Sequence, residues 1–297
     1  MPSRVGWLLA WSGVAAAALA WNVLRPPRRA SLALGPARRA LASAVDPRQW
    51  PGADATLTPP VAGFPADLGV LRVMIDPGHG AIGNRGNTSS FCVDEQDTML
   101  ELAEALADRL TETGHVEVQL TRDPGVLVEY ADRLADAEGW GADAFVSLHS
   151  DVRGRLERWA PEPDLDCPVA LEAPGFAVLY SDEGAADLAS RRLGLGRAVA
   201  RRMTEAGFLP YGGAAYTGLY APDADTRGVF VDRHAQGQRI FVLRHPSMPS
   251  ILVETHNAVD PKEATRWTEP ATVDAFAAAV AAALGDALAV TPHPGGT

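Results

Sequence analysis

Two histidines and two glutamates stand where a folded chain could bring them to one metal ion. His79, His149 and Glu254 each follow a short apolar run, and Glu95 opens a predicted helix. Apolar runs of this length are typical of buried strands, and a polar residue directly after one is held by the scaffold while facing a cleft. The set therefore suggests a site of two imidazoles and one carboxylate, with a second carboxylate left for proton transfer.

This donor set suits a catalytic zinc, which usually has three protein ligands and keeps its fourth position open. His79 and His149 supply the imidazoles, and Glu95 can lean back over the same sheet edge. Glu254 then has no metal to bind. A carboxylate in that position can act as general base and later as proton donor to a leaving amine.

Each of the four has a purely structural explanation when it is taken alone. A histidine at a strand end is often a hydrogen-bonded structural residue, and Glu95 could be a solvated charge favoured by the helix dipole. Glu254 is harder to explain in this way, because a carboxylate that closes so apolar a strand is costly unless it is paired. Together the four favour a functional site.

The elements that must position these residues alternate between strands and helices. The apolar patterns predict strands and helices, followed by the turn residues that end them. The predicted strands are 71–75, 116–120, 144–148, 176–180, 240–243 and 251–253, and the predicted helices are 94–113, 130–139, 188–203 and 271–288. We expect an α/β fold, with a mixed, mostly parallel sheet and helices on both faces, in a single catalytic domain. His79, His149 and Glu254 should then converge beyond the carboxyl ends of the strands.

The chain before this domain has a different composition. Residues 1–24 contain an apolar run that fits either a secretory signal peptide or a membrane anchor, and residues 18–20 match the small-x-small cleavage pattern. Arg25, Arg28 and Arg29 follow at once, which by the positive-inside rule favours a cytoplasmic position for that end. We predict a Pro/Ala/Arg-rich linker over 25–68, a catalytic domain over 69–290 and a disordered tail over 291–297.

Charge and cysteine content narrow the class of protein. The 297 residues carry a formal net charge of -11, which argues against a nucleic-acid partner because the phosphates would repel the chain. The two cysteines, Cys92 and Cys167, make no metal knuckle. They could form one bridge in an oxidising compartment, or be two unrelated thiols.

Five blocks between Leu71 and about Leu288 resemble the zinc-dependent N-acetylmuramoyl-L-alanine amidases of bacterial cell-wall turnover. The blocks are residues 75–80 (IDPGHG), 95–97 (EQD), 120–123 (LTRD), 142–151 (ADAFVSLHSD) and 249–255 (PSILVET). The order and spacing of the blocks are specific, although no single block is.

The resemblance implies roles for the four residues and a substrate. It implies that His79, Glu95 and His149 bind one Zn²⁺ per chain and that Glu254 is catalytic. It also implies hydrolysis of the amide between N-acetylmuramic acid and L-alanine in peptidoglycan or a muropeptide. Because intact wall lies outside the membrane, we expect export to the periplasm or cell envelope, with or without a membrane anchor. We also expect an activator protein, which the sequence does not identify.

The chain departs from the family on the predicted substrate side of the cleft. His256 and Asn257 replace the usual Gly-Phe after the last glutamate, and we expect both to contact substrate. The stem peptide is acidic, so basic side chains are further candidates: Arg153, Arg227, Arg233 and Arg239. Residues 152–174 resemble an insertion after His149, which could be a solvated loop or a lid over the zinc.

Two other functions stay open at this stage. The arginines after the apolar segment would suit a cytoplasmic-side amidase that recycles soluble muropeptides. The changed residues after Glu254 would suit a catalytically inactive wall-binding or regulatory domain.

Overall fold

A computed structural model describes residues 56–65, 68–235 and 237–288. The predicted signal peptide or anchor and the predicted tail lie outside these residues. The main sheet has seven strands, which are β1 (Leu71–Pro77), β2 (Val116–Leu120), β3 (Ala144–Asp151), β6 (Ala177–Tyr180), β7 (Tyr220–Pro222), β8 (Val229–Asp232) and β9 (Ser250–Asn257). Their order across the sheet is β2-β1-β3-β9-β6-β8-β7.

Most neighbouring strands in this sheet are parallel. β1 pairs in parallel with β2 and β3, β3 with β9, and β6 with β8. The pairs β6–β9 and β7–β8 are antiparallel. The predicted mixed, mostly parallel sheet is confirmed. The carboxyl ends of β1, β3 and β9 therefore share one edge, where His79, His149 and Glu254 stand.

Helices cover both faces of the sheet, as predicted. They are α1 (Glu95–Glu112), α2 (Tyr130–Trp140), α3 (Ala186–Glu205), α4 (Phe241–Arg244), α5 (Pro261–Arg266) and α6 (Pro270–Leu288). α1, α3 and α6 contribute to the larger core, which includes Val73 and Ile251 of the sheet. α2 and α4 cover the other face, where they pack with Met74 and Phe145.

The closing helix α6 belongs to the core. It is long and apolar enough to cross a bilayer, but most of its residues are buried, and it packs against α1 and α3. Its alanines and Gly285 permit close approach, and a Cβ at Gly285 would lie 2.6 Å from the carbonyl oxygen of Gly63.

Part of the predicted linker lies against the domain. The amide of Thr58 donates to the carbonyl of Ala206 at 3.0 Å, and Phe64 stacks on His115. Leu57 and Ala62 also pack on the larger core. Residues 56–65 thus pack on the surface of the domain and form part of it.

Some predicted elements were wrong or missing. Residues 240–243 form no strand, because Phe241–Arg244 is a short helix. A short apolar run fits a buried strand and a buried helical turn equally well, so periodicity could not decide. The short strands β7 and β8 at the sheet edge were not predicted.

The insertion after His149 contains a hairpin of its own. It consists of β4 (Glu157–Trp159) and β5 (Cys167–Val169), which pair antiparallel. A disulfide joins Cys167 in β5 to Cys92. Trp159 donates its indole N–H to the carbonyl of Ser90 at 2.7 Å and packs on Phe91. The hairpin therefore lies on the segment that leads into Glu95.

Candidate metal centre and cavity

Three of the predicted residues meet at the sheet edge. His79, Glu95 and His149 each direct one donor atom to a common point, and these atoms lie within 4.8 Å of one another. Nε2 of His79 is 2.9 Å from Oε2 of Glu95, and Nδ1 of His149 is 3.1 Å from Oε1. The two ring nitrogens are 3.1 Å apart.

His79 has an unusual backbone. Its φ is 60°, in the left-handed region that a residue with a side chain seldom adopts. Its Nδ1 lies 2.8 Å from the amide oxygen of Asn84, and that oxygen can only accept a hydrogen bond. The proton is thereby assigned to Nδ1, and the Nε2 lone pair is free to bind a cation.

Two glycines leave the room that the side chains of the three donor residues occupy. A Cβ at Gly78 would lie 2.6 Å from Nε2 of His149. A Cβ at Gly86 would lie 2.6 Å from both Oε2 of Glu95 and Cδ2 of His79. Glycine at these positions is a requirement of the site, since side-chain atoms never approach so closely.

Two buried arginines hold the turn that carries His79. Arg122 donates to the carbonyls of Pro77 at 3.0 Å and Gly78 at 3.1 Å. Arg133 donates to the carbonyls of Pro77 and His79, and its charge is paired with Asp76 at 2.9 Å. Carbonyl groups in a tight turn have few backbone partners, so these guanidinium groups fix the orientation of the imidazole.

Glu95 is fixed by the segment before its helix and by β3. Its Oε2 accepts hydrogen bonds from the backbone and side-chain amides of Asn87 at 3.0 and 2.8 Å. Its Oε1 accepts from the amide of Ser150 at 2.9 Å. Burial alone raises the pKa of Glu95, but hydrogen bonds and charge from His149 and His79 outweigh it, so the pKa lies well below its usual range.

A cavity of about 450 Å³ opens beside these donors. Residues that line it include all three donors, together with Tyr130, Asp151, Val152 and Glu254, and an apolar wall of Ile240, Phe241, Val242 and Leu252. The donor group thus faces a space large enough for part of a peptide.

Glu254 stands beside the donors in this cavity. It pairs in register with His149 on the adjacent parallel strand, so both side chains leave the sheet on the same face. Its Oε2 is buried and has no hydrogen-bond partner among the described residues. Burial raises the pKa of Glu254 well above its usual range, and the charges of Asp151 and Glu95 act in the same direction.

Asp151 and Asn87 are site residues that the sequence did not single out. Asp151 accepts a hydrogen bond from the hydroxyl of Tyr216 and forms an ion pair at 3.1 Å with the buried Arg153. Asp151 closes the fourth resembling block, and this was an available signal. Asn87 carries no comparable signal, because an asparagine in a polar loop is ordinary.

His256 and Asn257 lie away from the cavity, and the expectation that they contact substrate is corrected. β9 has one more residue than β3 after the pair His149–Glu254, and this bulge turns the following side chains. The ring of His256 stacks on Trp267 in the larger core. Asn257 donates to the carbonyls of Arg153 and Glu172 from inside the protein.

The predicted substrate arginines do not line the cavity either. Arg233 and Arg239 both pair with Asp182, which follows β6. Because β6 is antiparallel to β9, Asp182 lies toward the amino end of β9, away from Glu254. Arg227 is exposed beside the turn between β7 and β8, and Arg153 is buried.

The insertion contributes one residue, Val152, to the described lining of the cavity. Its hairpin packs instead against Phe91 and Ser90, where the disulfide also lies. The lid over the donor group stays a prediction.

The donor group fits a divalent cation. Two imidazole nitrogens and a carboxylate oxygen converge within contact distance, and the hydrogen bond from His79 to Asn84 leaves an unprotonated nitrogen at the centre. Nitrogen and oxygen donors in this number match a three-ligand zinc site with an open position. His79 and Glu95 also carry hydrogen bonds on their outer sides, from Asn84, Asn87 and Ser150, as ligands of a metal do.

Comparison with known proteins agrees with this arrangement. The model of the family described as N-acetylmuramoyl-L-alanine amidase (Amidase_3) matches residues 73–286. The amidase AmiA of Escherichia coli K12 is 26% identical over 216 residues, which are 64% of this chain and 67% of AmiA. AmiC of Escherichia coli O6:H1 is 32% identical over 82 residues, which are 28% of this chain and only 19% of AmiC.

Solved amidase structures share the fold. That of the amidase Ami1 from Mycobacterium smegmatis has a TM-score of 0.58 at 19% identity and covers 76% of this chain and 100% of its own. That of CwlD from Clostridioides difficile, in complex with the GerS lipoprotein, has a TM-score of 0.52 at 18% identity and covers 74% and 100%.

Proposed function

The chain belongs to the N-acetylmuramoyl-L-alanine amidase family, and from that premise we propose that it hydrolyses the amide between N-acetylmuramic acid and L-alanine in peptidoglycan. One zinc ion per chain is part of the proposal. The observation that carries it is the convergence of His79, Glu95 and His149 in a cavity that also holds Glu254.

The residues have distinct parts in this reaction. His79, Glu95 and His149 would hold the ion, which supplies Lewis-acid chemistry to the scissile carbonyl and to water. Glu254 takes a proton from the attacking water and then gives it to the nitrogen of L-alanine. A C–O bond forms as the C–N bond breaks, and the products are the lactyl carboxylic acid and a free amine.

The surroundings of Glu254 suit a proton carrier. Its burial and the neighbouring Asp151 favour the protonated form, while a cation held beside it would favour the ionised form. These opposed influences suit a group that must both take up and release a proton, as general acid–base catalysis requires.

An inactive wall-binding domain is the weaker alternative. It was suggested by His256 and Asn257, but these residues lie outside the cavity, whereas its lining includes His79, Glu95, His149 and Glu254. Incubation with dye-labelled sacculi separates the two, since a binding module retains sacculi without releasing dye.

Export to the cell envelope is also part of the proposal. The apolar N-terminal segment and the disulfide between Cys92 and Cys167 support it, because disulfides persist in oxidising compartments. The arginines at 25, 28 and 29 support the cytoplasmic recycling alternative. Protease accessibility in intact spheroplasts distinguishes them, since only an exported domain is cut.

An activator protein belongs to the proposal as well. The CwlD amidase of Clostridioides difficile was solved in complex with a lipoprotein, so an envelope protein is a suitable candidate to test.

The decisive experiment combines metal analysis with product masses. The purified protein should contain about one zinc per chain and should release intact stem peptides with a free L-alanine amine from peptidoglycan. Cleavage elsewhere in the peptide or in the glycan, by a zinc-loaded protein, would contradict the assignment. Peptidoglycan with Glu254→Gln protein serves as the control for contaminating hydrolases.

A further inference from the structure

Tyr130 lines the cavity, and its hydroxyl has a proton to donate. The backbone amide of Gly86 donates to Oδ1 of Asn84 at 3.1 Å, which identifies that atom as the oxygen of the side-chain amide. Nδ2 of Asn84 therefore carries the hydrogens, and it donates to the Tyr130 hydroxyl at 2.7 Å. The hydroxyl is the acceptor in this bond, and its own hydrogen has no acceptor among the residues that the structure describes.

The surroundings of Tyr130 make it a fixed donor on an aromatic wall. The guanidinium carbon of Arg133 lies 4.9 Å from the centre of its ring, and Phe241 packs on the same small core. Burial raises the pKa of the Tyr130 hydroxyl, so the group keeps its proton at neutral pH. Tyr130 and Phe241 both line the cavity and are only partly buried. Aromatic surface with a polar tip complements a sugar ring, which is apolar on its face and carries oxygen acceptors at its edge.

Tyr130 and Glu254 lie on opposite sides of the donor group. Asn84 follows β1, so its hydrogen bond places the Tyr130 hydroxyl on the β1 side, whereas Glu254 belongs to β9. β3, which carries His149, lies between these two strands. Two strand spacings, about 10 Å in all, therefore separate the strand beside Tyr130 from the strand of Glu254.

The proposed reaction orients a substrate along this line. Glu254 gives its proton to the nitrogen of L-alanine, so the peptide lies on the Glu254 side and the acyl group lies on the other side of the scissile carbon. In muramic acid the sugar ring is joined to that carbon through the lactyl carbon and an ether oxygen. These three bonds put the ring about 4 Å from the scissile carbon, on the side where Tyr130 stands.

We infer that Tyr130 donates a hydrogen bond to the saccharide of the N-acetylmuramoyl group, and that it thereby selects acyl groups that carry this sugar. The inference rests on the proposed amidase function. A single neutral hydrogen bond of this kind changes affinity about fivefold. Tyr130 is thus assigned to substrate recognition on the acyl side, away from the proton transfer at Glu254.

Two substrates that share the scissile amide test the inference. N-acetylmuramoyl-L-alanyl-D-isoglutamine carries the sugar, whereas N-(D-lactoyl)-L-alanyl-D-isoglutamine ends at the lactyl group. We expect kcat/KM of the zinc-loaded wild-type protein to be at least about tenfold higher for the compound with the sugar. Tyr130→Phe should lower this ratio about fivefold, while kcat/KM for the lactoyl compound and the zinc content stay unchanged.

A purely structural role of Tyr130, through Asn84 and His79, gives a different result. It would lower kcat/KM for both substrates in equal proportion and would reduce the zinc content, and this outcome would overturn the inference. An unchanged ratio in Tyr130→Phe would overturn it as well. Tyr180→Phe is the matched control and should keep the wild-type ratio, because Tyr180 belongs to the larger core on the other face of the sheet.

A binding measurement separates this inference from the proposed function, because it needs no turnover. In calorimetric titrations, Tyr130→Phe should bind N-acetylmuramic acid about fivefold more weakly than the wild type and D-lactic acid equally well. Equal affinity of the two proteins for N-acetylmuramic acid would refute the saccharide contact. Failure of the wild-type protein to cleave either peptide substrate would instead refute the amidase function.

Discussion

Glu254 and His149 are register partners on neighbouring parallel strands, and both face the same cavity. Adjacent strands lie about 4.8 Å apart, so a carboxylate and a candidate ligand are held side by side by backbone hydrogen bonds. The proton carrier is thus placed by the sheet itself.

This placement predicts the effect of removing the Glu254 carboxylate. Glu254→Gln keeps the size of the side chain but cannot move a proton, so kcat should fall by about 10³-fold with zinc content unchanged. Turnover on muropeptides and metal analysis of the same preparation check this. Brisk hydrolysis by the zinc-loaded variant would remove Glu254 from the mechanism.

Loss of one donor should abolish metal binding. His149→Ala leaves two donors, and we expect zinc to fall from about one per chain to below about 0.1 after dialysis. His115→Gln is the control, because His115 stacks on Phe64 away from the cavity and should keep its zinc. Retention of zinc by the His149 variant would place the ion elsewhere.

Gly86 and Gly83 form a matched pair for the packing of the site. Both have positive φ, of 78° and 76°, so alanine costs each a similar amount of backbone strain, about 1 kcal/mol. Only at Gly86 does the new Cβ strike Glu95 and His79, whereas at Gly83 it meets open space. Gly86→Ala should weaken zinc binding by at least about tenfold and Gly83→Ala should not, as measured by competition with a chelator. Equal zinc affinities of the two variants would show that Glu95 and His79 can shift away from the new Cβ without weakening zinc binding.

The disulfide should contribute strongly to stability. Cys92 and Cys167 are 75 residues apart, and closing a loop of that length in the unfolded chain is worth about 4 kcal/mol. Reductant, or the Cys92→Ser/Cys167→Ser double variant, should lower the free energy of unfolding by up to that amount in urea titrations. Full alkylation of both thiols without reductant would show instead that the bond is absent.

His256 should make the domain sensitive to acid. Burial, with the charge of Arg153, lowers the pKa of His256 to about 3, while the unfolded chain keeps a value near 6.5. Between these values the unfolded state binds a proton that the folded state does not, so stability present above pH 6.5 is lost as pH falls, by about 1.4 kcal/mol per unit. Urea unfolding of the metal-free protein at pH 7 and pH 5 should show a smaller loss for His256→Phe. If both proteins lost the same free energy of unfolding between pH 7 and pH 5, a group other than His256 would be responsible for the acid sensitivity.

Sequence patterns predicted the central sheet, and the convergence of His79, His149 and Glu254 at its edge, for one reason. Strand 251–253 is apolar throughout and 144–148 is apolar except for Ser147, and a polar residue follows each, which is typical of the middle of a parallel sheet. The same logic failed at His256, because a bulge in β9 depends on its pairing with β3 and leaves no mark in the sequence.

The substrate side was harder to predict because it depends on long-range partners. Arg233 and Arg239 are basic and close in sequence to the cavity wall, but Asp182 binds both. That carboxylate follows an antiparallel strand whose direction the apolar pattern could not reveal. Asn87 likewise matters only because Glu95 is folded back onto it.

The two arginines that hold the turn carrying His79 have a consequence for protein engineering. Arg122 and Arg133 reach that turn from more than 40 residues downstream, and Arg133 brings with it a buried charge that Asp76 must balance. The pentapeptide from Asp76 to Gly80 therefore cannot be transferred to another protein by itself. Transplanted into a foreign sheet without both guanidinium groups, it would lose the conformation that aims its imidazole, and a designer would have to move the whole corner of the domain.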